Sequence, residues 1–210
     1  STGFRIRSPA LGTNFPLFLA SGLLLLTLFL QISGRISQSL NFSKPLLFYP
    51  GVRFTDAIMA RFLLNYLTQL LVFYIVVVGI LLIYELRVIF DMSQIVLALA
   101  LTGLLGLGIG TLNCFLFALY PILNNVWGIV TRPLILVSTV FFLFEDIPRG
   151  YQDVAWYNPL VHVIGLMRRG FYPSYDASWA SPFYVGLVGG GTLVIGLGLL
   201  LRYHRKLLQL

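Results

Sequence analysis

Apolar residues come in long uncharged runs, separated by short segments that hold nearly all of the charge. A helix crossing the roughly 30 Å hydrocarbon core of a bilayer needs about 20 mostly apolar residues. Five runs approach or exceed that length, at about 15–33, 62–84, 93–119, 126–144 and 183–201. The pattern predicts an all-α integral membrane protein with about five transmembrane helices. The stretch from Met92 to Thr131 is too long for one crossing. Tyr120-Pro121 with Asn124-Asn125 breaks it into two helices joined by a short turn. Pro133 then falls in the first turn or two of the fourth helix, where a proline is tolerated.

Two intervening segments are neither spans nor simple linkers. Segment 34–61 carries Leu40, Phe42, Leu46, Leu47, Phe48 and Val52, which would be costly to leave in water. It therefore docks on something: the membrane surface, as a short amphipathic helix, or a cleft on a cytoplasmic partner, as a coupling element. Thr55-Asp56 offers an N-cap for a helix running into the second span. Segment 145–181 contains an apolar stretch from Pro159 to Met167 that is too short to cross. Asn158 suits an N-cap and Pro159 the first helical position. Two short helices forming a re-entrant hairpin before the last span are expected. Here Trp156, Tyr157, Phe171, Tyr172, Tyr175 and Trp179 accompany Arg149, Arg168 and Arg169. Aromatic faces suit sugar rings, and arginine forks suit carboxylate or phosphate. An aromatic belt at the membrane interface is the plainer account of the same residues. His162 has no Cys, Asp or Glu at ligand spacing and reads as a hydrogen-bonded structural histidine.

Composition agrees with the pattern. Hydrophobic residues make up 58% and charged residues 10%, against roughly a quarter charged in soluble domains. The net charge of +7 is spread among the inter-span segments, so nucleic acid is not expected as a partner. With 34–61 placed in the cytoplasm, eight basic residues lie inside: Arg35, Lys44, Arg53, Arg61, Arg132, Arg202, Arg205 and Lys206. The other six, Arg5, Arg7, Arg87, Arg149, Arg168 and Arg169, lie outside. This bias orients the chain with its C-terminus in the cytoplasm. Five spans then leave residue 1 outside, so an earlier span is expected in the complete protein, giving six with both ends inside. The single cysteine, Cys114, lies in an apolar run and reads as a small buried hydrophobe. No catalytic constellation, metal site or phosphate-binding loop with a following Lys-Ser or Lys-Thr is visible. ATP hydrolysis by this chain is not expected. The glycines within spans, such as Gly106, Gly108, Gly110, Gly189 and Gly196, read as close helix contacts.

Two stretches carry a family resemblance. Pro45-Leu46-Leu47-Phe48-Tyr49-Pro50-Gly51-Val52, continuing through Thr55-Asp56 to Ala60-Arg61, resembles the segment before the third span of ABC-2 type transporter permeases. Tyr157-Asn158-Pro159-Leu160-Val161-His162-Val163-Ile164, continuing to Arg168, resembles their segment before the last span. Phe15 to Gly22 is similar to the start of their second span, and the similarity is greatest to the capsular-polysaccharide and O-antigen (lipopolysaccharide) export branch. The resemblance covers essentially all of 1–210 as a single ABC-2 transmembrane domain without its N-terminal amphipathic helix and first span.

It implies a homodimer in the bacterial inner membrane with two copies of a separate ABC ATPase. That ATPase would bind ATP and Mg, and this chain would hold no cofactor. The substrate would be a lipid-linked polysaccharide. Asn41, Phe42, Leu46, Leu47, Phe48, Tyr49, Pro50, Asp56 and Arg61 would couple to the ATPase. Arg149, Tyr151, Trp156, Tyr157, Asn158, His162, Arg168 and Arg169 would form the periplasmic gate and channel. An ABC-2 permease for a drug or lipid is the alternative. A membrane enzyme or scaffold is more remote, since apart from His162 the apolar stretches hold no acid or histidine to serve a cavity.

Overall fold

The computed structural model describes residues 11, 14–43, 53–86 and 88–207. The elements in chain order are α1 (Phe15–Ser37), α2 (Ser39–Ser43), α3 (Phe54–Ile83), α4 (Met92–Leu119), α5 (Ile122–Thr131), α6 (Leu134–Val137), a 3-10 turn (Phe144–Asp146), α7 (Arg149–Trp156), α8 (Pro159–Phe171) and α9 (Pro182–Leu207). Among the described residues, four helices are long and apolar enough to cross a membrane: α1, α3, α4 and α9. They begin and end near the expected runs. Lipid or another chain must cover the outer faces, because Leu64, Leu67, Leu71, Tyr74 and Ile75 of α3 are all exposed.

α4 is the centre of the bundle, with α1, α8 and α9 packed around it. Glycines set how closely they approach. A Cβ at Gly106 or Gly110 would lie 2.9 Å from Ile32 or Ile36 of α1. On the opposite face, one at Gly108 would collide with the Gly189 carbonyl of α9, and one at Gly196 would lie 2.8 Å from the Leu112 nitrogen. In lipid, where burial of apolar surface gives helices no drive to associate, such backbone approach is a main source of attraction. Asp91 caps α4 by accepting the Ser93 and Gln94 N–H groups, and its own N–H donates to the Gly170 carbonyl at 2.9 Å. That bond fastens the end of α8 to the start of α4.

The fourth apolar run departs from expectation. The turn is confined to Tyr120-Pro121, and Asn124 and Asn125 lie inside α5. Because α5 starts at Ile122, four residues earlier than expected, Pro133 falls where a continuing helix would have its interior. Its missing N–H and its ring clash with the preceding turn end α5 at Thr131. α6 adds one turn, and residues 138–143 then leave the helical path. Thr139 has φ 55°, a left-handed conformation rare for a β-branched residue. The run from 126 to 144 is therefore two short helices followed by a strap.

The start of α3 also differs. The helix opens at Phe54 with Arg53 as its flanking residue, and Asp56 caps from the third helical position by accepting the Arg53 N–H at 3.0 Å. Thr55 and Asp56 lie in its first turn. The two short helices expected before the last span are present as α7 and α8: Asn158 Oδ1 accepts the Leu160 N–H at 3.1 Å, and Pro159 opens α8.

Candidate functional site

Two regions hold the chemistry, the hairpin before α9 and the face formed by α2 with the start of α3.

In the hairpin, α8 is buried along nearly its whole length. His162 is fully buried; its Nε2 donates to the Trp156 carbonyl at 2.7 Å, and its Nδ1 accepts the Ser181 N–H at 3.2 Å. A ring nitrogen that accepts an N–H holds a lone pair, so the imidazole is neutral with its proton on Nε2. Burial pushes its basicity below the ordinary value. The ring thereby ties the end of α7 to the start of α9, the structural role its isolation in sequence pointed to. Trp156, Trp179 and Tyr184 surround it at centroid distances of 5.0, 5.6 and 5.3 Å.

Arg168 is 1% exposed. Its Nη1 donates to the Phe142 carbonyl at 2.8 Å and its Nη2 to the Val140 carbonyl at 2.9 Å. Its guanidinium lies 4.2 Å from the Phe18 ring centroid. A buried guanidinium needs such acceptors to offset its desolvation. It faces the strap, not an open surface. Asn158 adds a second tie, its Nδ2 donating to Ser138 Oγ at 3.3 Å.

Glu145 gathers the outer loop. It accepts from the Tyr175 hydroxyl at 3.0 Å and from Trp179 Nε1 at 2.8 Å. Burial and the neighbouring Glu145 carboxylate raise the Tyr175 hydroxyl well above the ordinary tyrosine range. Trp179 in turn stacks on Phe144 at 4.2 Å. Tyr184 donates to the Tyr157 carbonyl at 2.8 Å.

The structure thus brings together Trp156, Tyr157, Asn158 and His162, and links Arg168 to them through the strap. Arg149 and Tyr151 on α7, the Tyr157 ring and Arg169 at the end of α8 are exposed. Phe171 is not part of an aromatic surface; it packs edge-on against Phe73 and Phe90 in the core. Glu145, Tyr184, Ser138 and Phe18 are partners that the spacing does not reveal. The acidic pair Glu145-Asp146 at the end of an apolar run was the one available signal.

At the other region, Phe42 of α2 is 65% exposed, and the Arg61 guanidinium lies 4.9 Å from its ring centroid. Asn41 belongs to α2 and Asp56 to the first turn of α3. Leu46, Leu47, Phe48, Tyr49 and Pro50 lie outside the described residues. Gln38 Nε2 at the end of α1 donates to Asn124 Oδ1 of α5 at 3.0 Å. Ser39 Oγ lies 3.3 Å from Cys114 Sγ, which is buried as expected. α2 packs against the start of α3.

The family model for "ABC-2 type transporter" matches residues 3–172. The chain is 32% identical over 186 residues to the polysialic acid transport protein KpsM of Escherichia coli, covering 89% of this chain and 72% of that one. It is 23% identical over 192 residues to the capsule polysaccharide export inner-membrane protein CtrC of Neisseria meningitidis serogroup B, covering 91% and 72%. It is 23% identical over 188 residues to the capsule polysaccharide export inner-membrane protein BexB of Haemophilus influenzae, covering 88% and 69%. With its helical bundle, its hairpin before α9 and a family match over most of its length, the chain belongs to the ABC-2 type transporter family.

Proposed function

We propose that the chain is the permease subunit of an ABC exporter that moves lipid-linked capsular polysaccharide outward across the inner membrane. The observation that carries this reading is the 32% identity to a polysialic acid transport protein across nearly the whole chain. Two further capsule export proteins match over a similar length. An ABC-2 permease works with an ABC ATPase, and ATP and Mg act there. Two copies of each subunit form the complex, with the C-terminus of this chain in the cytoplasm.

The ATPase docks at α2, the segment that follows it and the first turn of α3. Phe42 supplies an exposed apolar contact, and Asp56 and Arg61 hold the start of α3. On the outer side, Tyr151 and Tyr157, each 70% exposed, offer ring faces for sugar. The exposed Arg149 and Arg169 offer bidentate donors to acidic sugar or anchor phosphate. Trp156, Asn158, His162 and Arg168 form the frame that positions them.

Co-purification with a tag on this subunit tests the reading, the chain being expressed with its neighbouring genes. An ATPase at one-to-one ratio, with glycosyltransferase genes alongside, is expected. An ATPase without sugar genes would move the cargo to a drug or lipid. Recovery of no ATPase would overturn the transporter reading.

A further inference from the structure

The strap of residues 138–143 combines a left-handed non-glycine residue with a run of backbone N–H groups for which no partner is found among the described residues. Thr139 sits at φ 55°. Among the described residues, no hydrogen bond is found from the N–H groups of residues 139–142, and residues 139 and 140 are fully buried. The carbonyls of Val140 and Phe142 are instead held by one side chain, Arg168. α1 closes the other side: the Phe18 ring covers Arg168, and a Cβ at Gly22 would lie 3.2 Å from Val140 Cα.

The sequence of the same segment is that of a helix. Residues 126–144 are apolar with one charge, Arg132, near their start. In a helix continued from α6, the N–H groups of 139–142 would find the carbonyls of 135–138. The carbonyls of Val140 and Phe142 would receive the N–H groups of 144 and 146. Every irregular backbone group in the strap therefore has a helical partner waiting. Arg168 would lose its acceptors and Asp146 Oδ2 the Leu143 N–H, and Glu145 and Asp146 are the acidic groups that face Arg168. Two arrangements that satisfy the same carbonyls from different donors are what a bistable element requires.

We propose that 138–143 is a two-state strap, latched by Arg168 in the form described here and rewound into helix when the exporter opens. This rests on the exporter reading and makes Arg168 a positioning residue for it. The hairpin is bound to the strap at both ends, through Asn158 to Ser138 and through Arg168 to Val140 and Phe142. Displacement of α8 breaks these ties, and the freed carbonyls pull the strap into helix. Rewinding extends α6 toward the outer side and lifts the start of the hairpin.

The test uses the assembled exporter in nanodiscs and follows amide hydrogen exchange with and without a non-hydrolysable ATP analogue. Peptides covering 138–143 are expected to exchange at least about tenfold more slowly with nucleotide, because rewinding gives their N–H groups partners. Thr139→Gly removes the strain of the left-handed residue and weakens the helix, so it favours the latched form. It is expected to diminish the nucleotide-dependent protection and lower polysaccharide export about tenfold at an equal amount of assembled complex. A strap with a merely structural role predicts that relieving strain leaves export unchanged. Arg168→Gln acts oppositely, with 138–143 protected before nucleotide is added. If Arg168→Gln does not fold, Thr139→Gly still decides the question. Exchange in 138–143 that is insensitive to nucleotide, or full export by Thr139→Gly, overturns the proposal. A wild-type complex that shows the exchange shift but exports no polysaccharide supports the strap and overturns the cargo reading.

Discussion

Two glycines of α9 look equivalent in the sequence and differ in what surrounds them. A Cβ at Gly196 would lie 2.8 Å from the Leu112 nitrogen, 3.0 Å from its Cα and 3.0 Å from the Thr111 carbonyl carbon. All three are backbone atoms of α4 and cannot rotate away. Reaching an ordinary contact distance of about 3.6 Å would part the helices locally by about 0.6–0.8 Å. A gap of that size forfeits about a quarter to a half of each van der Waals contact it opens, each worth about 0.1–0.2 kcal/mol. Over about 20–30 contacts the loss is about 0.5–3 kcal/mol, in the range that overpacking costs. At Gly198 a Cβ would meet nothing within 4 Å, and alanine there gains helix propensity of up to about 1 kcal/mol. Gly196→Ala is thus expected to lower the unfolding midpoint by about 2–4 °C for each kcal/mol lost. Gly198→Ala should leave it unchanged or raised. The single cysteine, 1% exposed, supplies the assay: a fluorogenic thiol dye reacts with Cys114 only on unfolding of the detergent-purified protein. Equal midpoints for the two variants would refute the seam described between α4 and α9.

Other predictions follow from the hairpin and the coupling face. His162 must stay neutral to accept the Ser181 N–H. Its lowered pKa means that stability is undiminished above about 6.5 and falls as pH drops below that value; His162→Gln, read by the same dye, should flatten that decline. Replacing Asp56 and Arg61 together should abolish stimulation of the partner ATPase. The cap lost with Asp56 is worth about 0.5–2 kcal/mol, so the chain should still fold, and export intact in that double variant would reject the coupling assignment. Glu145→Gln keeps an acceptor for Tyr175 and Trp179 but loses the charge. It should cost about 1 kcal/mol, whereas Glu145→Ala should expose Trp179, seen as a red-shifted tryptophan emission; identical spectra would count against the outer network.

The helices were legible because lipid leaves few choices: a run of about 20 apolar residues has to cross as helix or be buried. Asn158-Pro159 likewise announced α8, since a cap and a proline at the first position act locally. The strap was not legible. Whether Pro133 is harmless or breaks a helix depends on where that helix begins, and Ile122 was decided by the Tyr120-Pro121 turn alone. The target of Arg168 was hidden for a different reason. It binds backbone carbonyls 26 and 28 residues away, and carbonyls have no signature in sequence. Gly196 and Gly198 were indistinguishable until α4 was placed beside α9. Phe42 with Arg61 was legible as one segment, though not as a ring under a guanidinium.

Export itself is the claim on which the rest depends, and vectorial transport measures it most directly. Inverted membrane vesicles bearing this chain and its ATPase would be given lipid-linked polysaccharide on the outer, cytoplasmic-facing surface. The predicted result is ATP-hydrolysis-dependent protection of the glycan from an added glycan-degrading enzyme, absent without this chain. Glycan that stays fully digestible while the ATPase turns over would contradict the account.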